Sequence, residues 1–171
     1  PLMVDANMKW SVDEAIRRAR AFREFDLVWL EEPIIPDDVA GHVRVMQEGG
    51  VPVATGENFR TLWEFKQMIA AGGVSYPEPD VTNCGGVTPF MKIAHLAEAF
   101  NLPVTSHGAH DVTVHLLAAA PKNADSEIGA ARTRSGPKRA KRGARSNGAS
   151  SPMRTMEASR AIASSIARST A

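Results

Sequence analysis

The sequence predicts an α/β fold with a parallel sheet of the (β/α) TIM-barrel type over residues 1–121. Short β-prone runs recur about every 25 residues, helix-start signals lie between them, and an acidic residue or a histidine follows each run. The runs are 2–4, 27–30, 51–54, 74–76 and 102–105. Strands that alternate with helical segments at this spacing are typical of βα units.

The helix signals support this order. Residues 11–14 (SVDE) and 61–64 (TLWE) have the pattern of a capping box, and Gly72–Gly73 follows the second predicted helix as its stop. Thr88 and Pro89 predict an N-cap with proline at the first helical position of the next helix. Helix signals therefore follow three of the five predicted strands.

Charge divides the chain into two parts. Residues 1–121 hold 9 Lys and Arg against 16 Asp and Glu, and residues 122–171 hold 11 against 3. The second part contains no Leu, Val, Phe, Tyr or Trp, which predicts a disordered basic tail. Its run GPKRAKRGAR has no interleaved aromatic residue, so the sequence does not favour a nucleic-acid partner.

The composition excludes several classes of protein. A single cysteine, Cys84, rules out an internal disulfide or a multi-cysteine metal site, and it favours the cytoplasm. No apolar run approaches the ~20 residues that span a bilayer, so we expect no membrane partner. The chain begins at Pro1 inside an apolar run, from which we expect that a preceding segment is missing.

Three carboxylates stand where successive strands end, namely Asp5, Glu31 and Glu57. Parallel strands end on one rim, so these side chains are expected to converge despite their separation in sequence. Three anions this close need a cation, and a set made only of oxygen ligands favours Mg²⁺. The alternative is that each acid merely caps the helix that follows.

Asp80 and His107 follow the next two predicted strands. A carboxylate that accepts an imidazole N–H fixes the tautomer and raises the basicity of the ring, which predicts a general base. His110 lies nearby and is a candidate substrate contact. A cation that faces such a base indicates removal of a proton next to a carboxylate, as in enolase-type sites.

The motifs VDAN, WLEEP, ATGEN and PEPDVTNCGGVTPFMKIAHLAEAFNLPVTSHGAHDVTVHLLAA resemble the C-terminal barrel domain of the enolase superfamily, in its mandelate racemase subgroup. The resemblance covers residues 1–121 and is strongest to the acid-sugar dehydratases that act on galactarate and related acids. It implies that Asp5, Glu31 and Glu57 bind Mg²⁺, that Asp80 and His107 act as a catalytic pair, and that Asn7 contacts substrate. Glu32 and Asn58 would orient the metal ligands.

The implied reaction is that of a hydro-lyase, in which water leaves a sugar acid to give a 2-keto-3-deoxy acid. Such enzymes form homo-oligomers and carry a capping domain and a lysine motif that would precede Pro1. They also carry a glutamate on a last strand, for which Glu127 is a candidate. Because these parts are missing or altered, we expect an incomplete barrel with an out-of-frame tail, and whether this chain is active alone stays open.

Two alternatives to the dehydratase remain. A racemase or epimerase of the same subgroup would share the metal site and the acid–base pair but would need a second base. An inactive metal-binding remnant with a basic tail is the alternative outside enzymes.

Overall fold

The computed structural model describes residues 1–121, in which four strands form one parallel sheet in the order β1-β2-β3-β4. The strands are β1 (Met3–Asp5), β2 (Trp29–Glu31), β3 (Val53–Thr55) and β4 (Tyr76–Pro77). This confirms the predicted parallel α/β class. Each strand begins one or two residues later than predicted, so that Asp5 and Glu31 are the last residues of their strands.

The fifth predicted strand, 102–105, is wrong as a regular strand. The segment touches β4 through one hydrogen bond, from the Thr105 N–H to the Pro77 carbonyl at 3.0 Å. A single parallel bridge then joins Asp80 to His107. Pro103 has no N–H to donate to a ladder, which prevents continuous pairing at this position.

Five α-helices connect and follow the strands. They are α1 (Val12–Phe22), α2 (Val39–Arg44), α3 (Leu62–Ala71), α4 (Val87–Ala99) and α5 (His110–Ala119). A short 3₁₀ turn, Arg23–Phe25, extends α1, and a π turn, Val45–Gly49, extends α2. Among the described residues, no helix is both long and apolar enough to cross a bilayer.

The helix starts agree in part with the predicted signals. The Thr61–Glu64 capping box is complete at the start of α3. In α1 the Ser11 hydroxyl accepts from the backbone of Glu14, but the Glu14 carboxylate binds Arg18 instead of closing the box.

The predicted start of α4 is wrong. The helix begins at Val87 with Gly86 as its N-cap, so Thr88 does not cap it and Pro89 is its third residue. Proline is tolerated there because the first turn of a helix leaves its N–H groups without intrahelical partners.

The helices bury apolar faces against the sheet in two clusters. The larger one unites α3, α4 and α5 and contains Phe59, Phe65, Met68, Ile69, Val74, Val81, Cys84, Phe90, Ile93, Ala97 and Leu116. The smaller one lies beneath α1 and contains Ala15, Ile16, Ile34, Val45 and Val53. These clusters fix the strands whose ends carry the candidate site. The predictions for the tail, 122–171, and for Glu127 lie outside the described residues.

Candidate active site

The three predicted carboxylates occupy the edge at which β1, β2 and β3 end, which we call the C-terminal edge of the sheet. Asp5 and Glu31 are register partners at the ends of β1 and β2. Glu57 follows β3 after Gly56, whose φ of +137° favours glycine. A Cβ on Gly56 would lie 2.5 Å from a ring carbon of Phe65, so the chain can turn here only without a side chain.

Asp5 and Glu31 each accept a hydrogen bond from a separate donor. The backbone N–H of Asn7 donates to Asp5 Oδ1 at 2.7 Å, and Trp29 Nε1 donates to Glu31 Oε2 at 3.0 Å. As these side chains stand, no three carboxylate, imidazole or thiol groups of residues 1–121 are grouped closely enough to hold a metal ion. The donor set nevertheless fits a hard divalent cation, because it consists only of carboxylate oxygens at or just beyond the ends of three adjacent strands.

A buried carboxylate, Glu32, lies behind Glu31 with only 1% of its surface exposed. The Asn58 side-chain amide donates to its two oxygens at 3.0 and 3.1 Å and to Glu57 Oε1 at 3.3 Å. Burial, opposed by the Asn58 bond and aided by the neighbouring charges, raises the pKa of Glu32 to about 6. Asn58 therefore links the Glu32 carboxylate to that of Glu57.

Asp80 and His107 form the predicted pair. His107 Nδ1 lies 2.8 Å from Asp80 Oδ2, and because that oxygen is an acceptor, Nδ1 carries the proton. The other ring nitrogen, Nε2, lies 3.3 Å from Glu57 Oε2. The two ring nitrogens of His107 therefore contact Asp80 on one side and Glu57 on the other.

The surroundings of Asp80 fix its orientation. The backbone N–H and the hydroxyl of Thr82 donate to Asp80 Oδ1 at 2.7 and 2.6 Å. Gly108 has a φ of +58°, and a Cβ there would lie 2.5 Å from Asp80 Oδ2. Although burial acts in the opposite direction, the hydrogen bonds from Thr82 and His107 lower the pKa of Asp80. The pair therefore contains a carboxylate that stays ionised.

Electrostatics couples His107 to Glu57. Burial raises the pKa of Glu57, and the charges of Glu31 and Asp5 add to the rise while His107 opposes it. Burial favours the neutral ring of His107, but the hydrogen bond to Asp80 and the charge of Glu57 raise the pKa of His107 overall. Negative charge at this edge therefore contributes to the rise of both pKa values, beside burial for Glu57 and the Asp80 hydrogen bond for His107.

The two predicted substrate contacts lie at the periphery of this arrangement. Asn7 is exposed two residues after Asp5, and its φ of +48° is a left-handed conformation that is uncommon for residues other than glycine. His110 is exposed at the first position of α5, three residues after His107. Their contact with substrate stays a prediction.

The sequence analysis missed Glu78 and Asn83. Glu78 follows β4 directly and is 4% exposed, and Asn83 donates its side-chain amide to the Glu57 carbonyl at 2.9 Å. The predicted strand end at residue 76 hid Glu78, although Glu78 is separated from Tyr76 by the two-residue period of a strand. For Asn83, no pattern in the sequence indicates a partner 26 residues away.

Several carboxylates and a carboxylate-supported histidine at the C-terminal edge of a parallel α/β sheet are typical of acid–base enzyme sites built on barrel folds. Residues 1–144 match the family model described as "Enolase C-terminal domain-like". The chain belongs to this family.

Three similar proteins illustrate the relationship. A 3,6-anhydro-alpha-L-galactonate cycloisomerase of Streptomyces coelicolor is 59% identical over 121 residues, which are 71% of this chain and 34% of the relative. The crystal structure of a racemase from Streptomyces coelicolor A3(2) with bound magnesium is 59% identical, with a TM-score of 0.69, over 71% of this chain and 36% of that one.

The third is L-talarate dehydratase from Polaromonas sp. JS666 in complex with Mg and L-glucarate, which is 42% identical with a TM-score of 0.69. The match covers 72% of this chain and 33% of that one. The chain therefore spans about a third of the length of these proteins.

Proposed function

We propose that the chain carries the metal-binding and acid–base residues of a Mg²⁺-dependent acid-sugar dehydratase. The main support for the proposal is the position of His107. Its Nδ1 lies 2.8 Å from Asp80, and its Nε2 lies 3.3 Å from Glu57. A substrate carboxylate held beside Glu57 would place its α-carbon near that nitrogen. The magnesium-bound relatives support the choice of cation.

In this proposal Asp5, Glu31 and Glu57 would hold Mg²⁺, which when bound would supply positive charge beside the substrate carboxylate. His107 accepts the α-proton at Nε2, and Asp80 keeps the ring in the tautomer that leaves Nε2 free to do so. Asn7 and His110 would contact the hydroxyl groups of the substrate.

The proposed reaction is a β-elimination. The C–H bond next to the carboxylate breaks, a carbon–carbon double bond forms, and the neighbouring C–O bond breaks. His107, now protonated, returns its proton to the departing hydroxide, so that water leaves. The enol that remains becomes a 2-keto-3-deoxy sugar acid. We also propose a role in the breakdown of sugar acids, in the cytoplasm and as a homo-oligomer.

The test is to incubate the full 171-residue chain with Mg²⁺ and a panel of aldonic and aldaric acids that includes L-glucarate, and to measure 2-keto acid formation. We expect His107→Asn to abolish turnover and to leave the affinity for Mg²⁺ unchanged. Normal turnover by His107→Asn would show that the base is another residue.

A second candidate is ring opening of an anhydro sugar acid, which the 59% identity to the cycloisomerase favours. When C3 and C6 share an ether oxygen, β-elimination at C3 breaks that ether and the product keeps every atom. The same residues, His107 and Asp80, would serve this reaction, because the proton that leaves is again next to the carboxylate.

Mass spectrometry in D₂O separates these reactions from a racemase or epimerase. The product of a dehydratase is lighter than its substrate by one water. The product of ring opening has the same elemental composition as its substrate but contains a keto group. A racemase or epimerase returns an acid of the substrate's constitution, with deuterium at the α-carbon.

A further inference from the structure

Glu78 is a buried carboxyl group that the roles proposed above do not use. It follows β4 directly, its side chain is 4% exposed, and its backbone N–H donates to the Thr55 carbonyl at 3.0 Å. Among the described residues, Glu78 Oε2 has no hydrogen-bond partner. A buried polar atom without a partner is destabilising, so Glu78 Oε2 calls for an explanation, and a bound ligand would be one.

The side chain lies on the face of the sheet that carries the carboxylates. Tyr76 contacts Trp29, with ring centroids 5.2 Å apart, and Trp29 donates to Glu31. These residues therefore share one face. Side chains two apart along a strand point the same way, so Glu78 continues the face of Tyr76 beyond the end of β4.

Burial, and after it the charges of Glu31 and Glu57, raises the pKa of Glu78 to about 9. At neutral pH its carboxyl group is therefore protonated and able both to donate and to accept a hydrogen bond. A ligand hydroxyl, which also donates and accepts, is the matching partner.

The position along the chain agrees with this chemistry. Glu78 precedes Asp80 by two residues and lies beyond Glu57 in the order of the strands. Along the sheet it thus comes after the proposed metal ligands and before the segment that carries His107.

We propose that Glu78 is a further ligand-binding residue, whose Oε2 hydrogen-bonds a hydroxyl group of a polyhydroxy acid held at the C-terminal edge beside Glu57 and the Asp80–His107 pair. This inference rests on the proposed function and extends it, since it assigns to β4 the recognition of hydroxyl groups. We therefore expect the site to bind hydroxylated diacids more tightly than diacids without hydroxyl groups.

The experiment compares two six-carbon diacids, L-glucarate with four hydroxyl groups and adipate with none, by calorimetry on the full chain at saturating Mg²⁺. We expect the parent chain to prefer L-glucarate. Glu78→Leu should weaken L-glucarate binding about tenfold, which corresponds to about 1.4 kcal/mol, and leave adipate binding unchanged. Glu78→Gln, which can still donate and accept, should stay within about threefold of the parent.

Urea denaturation is the second readout. Leucine removes an unpaired buried polar group, so we expect the Glu78→Leu midpoint to equal or exceed that of the parent. A lower midpoint together with unchanged L-glucarate affinity would show that Glu78 is only structural. A loss of Mg²⁺ affinity in both variants would show that it binds the cation, which would also overturn the inference.

The two proposals fail in different ways. If the parent chain bound no L-glucarate, the proposed function would be wrong for this acid and the role of Glu78 would fall with it. If the parent chain bound L-glucarate and Glu78→Leu bound it equally well, only the role of Glu78 would be wrong.

Discussion

Three buried side-chain atoms of the described residues have no hydrogen-bond partner, namely His42 Nε2, Thr55 Oγ1 and Glu78 Oε2. Glu78 lies at the candidate site, whereas His42 lies on α2, away from it. The Nδ1–H of His42 donates to the Asp38 carbonyl at 3.0 Å, so its bare Nε2 faces the protein interior. A charged ring would therefore be poorly accommodated.

His42 should make stability depend on pH. Burial lowers the pKa of His42 below its ordinary value of 6.5, so the folded state holds the neutral ring while the unfolded state takes up a proton. Above the unfolded pKa of 6.5, His42 leaves the free energy of unfolding unchanged. As the pH falls below this value, the free energy of unfolding decreases by at most about 1.4 kcal/mol per pH unit. Urea titrations at pH 7.5 and 5.5 measure it.

His42→Leu is the matching variant. The Asp38 carbonyl keeps its bond to the backbone N–H of residue 42, so this change leaves it satisfied. We expect the variant to lose less stability than the parent between the two pH values. An identical loss in both proteins would contradict the assignment.

Gly108 should control the Asp80–His107 pair. In Gly108→Ala, the new Cβ would lie 2.5 Å from Asp80 Oδ2, so the carboxylate must move away from His107. We expect the pKa of His107, followed by NMR, to fall toward its ordinary value, because the hydrogen bond to Asp80 raises it.

Gly72→Ala provides the control. Gly72 also has a positive φ, of +76°, but nothing lies within 4 Å of its Cβ position. This variant should lose about 1 kcal/mol of stability through backbone strain alone and leave the His107 titration as in the parent. An unchanged titration in Gly108→Ala would show that Asp80 tolerates the methyl group.

At the level of elements, the sheet depends on a small residue at its centre. Ala54 on β3 is fully buried and is the register partner of both Glu31 and Tyr76. The rings of Trp29 and Tyr76 meet across β3 at a centroid distance of 5.2 Å. A methyl side chain on β3 leaves room for this contact between β2 and β4.

Ala54→Leu should therefore destabilise the sheet. We expect a loss of about 1–3 kcal/mol from overpacking, together with a change in near-ultraviolet circular dichroism as the rings of Trp29 and Tyr76 separate. Ala70→Leu makes the same substitution at an exposed position of α3 and should change stability by less than about 0.5 kcal/mol. Equal stability of the two variants would contradict the packing role of Ala54.

For the whole molecule, the sequence predicted which residues stand at the C-terminal edge better than it predicted their contacts. Asp5, Glu31 and Glu57 were found because each acid interrupts an apolar run, which is a local signal. Glu78 lies in YPEPD between two prolines, where nothing local reveals burial.

Single residues within or beside the predicted elements also determined which of those elements formed. Residues 102–105 have the composition of a strand, but Pro103 limits their pairing with β4. Ser11 and Glu14 match a capping box, but Arg18 captures the Glu14 carboxylate.

The charge of residues 1–121 leads to a prediction about the molecule as a whole. These residues carry 16 acidic against 9 basic side chains, and several of the acids lie together at the C-terminal edge. A divalent cation that binds only the folded state should raise stability by RT ln(1 + [Mg²⁺]/Kd), or about 2.7 kcal/mol at a hundredfold excess over Kd. Urea denaturation with MgCl₂, against NaCl at equal ionic strength, measures this gain.

The control variants separate site binding from screening, which acts on all exposed charges alike. Glu57→Gln removes a proposed ligand and should abolish the Mg²⁺-specific gain, whereas Glu98→Gln removes an exposed charge on α4 and should retain it. Screening would give the same gain with either salt and in both variants. A full Mg²⁺-specific gain in Glu57→Gln would show that the cation binds elsewhere, and the assignment of Asp5, Glu31 and Glu57 as its ligands would then be wrong.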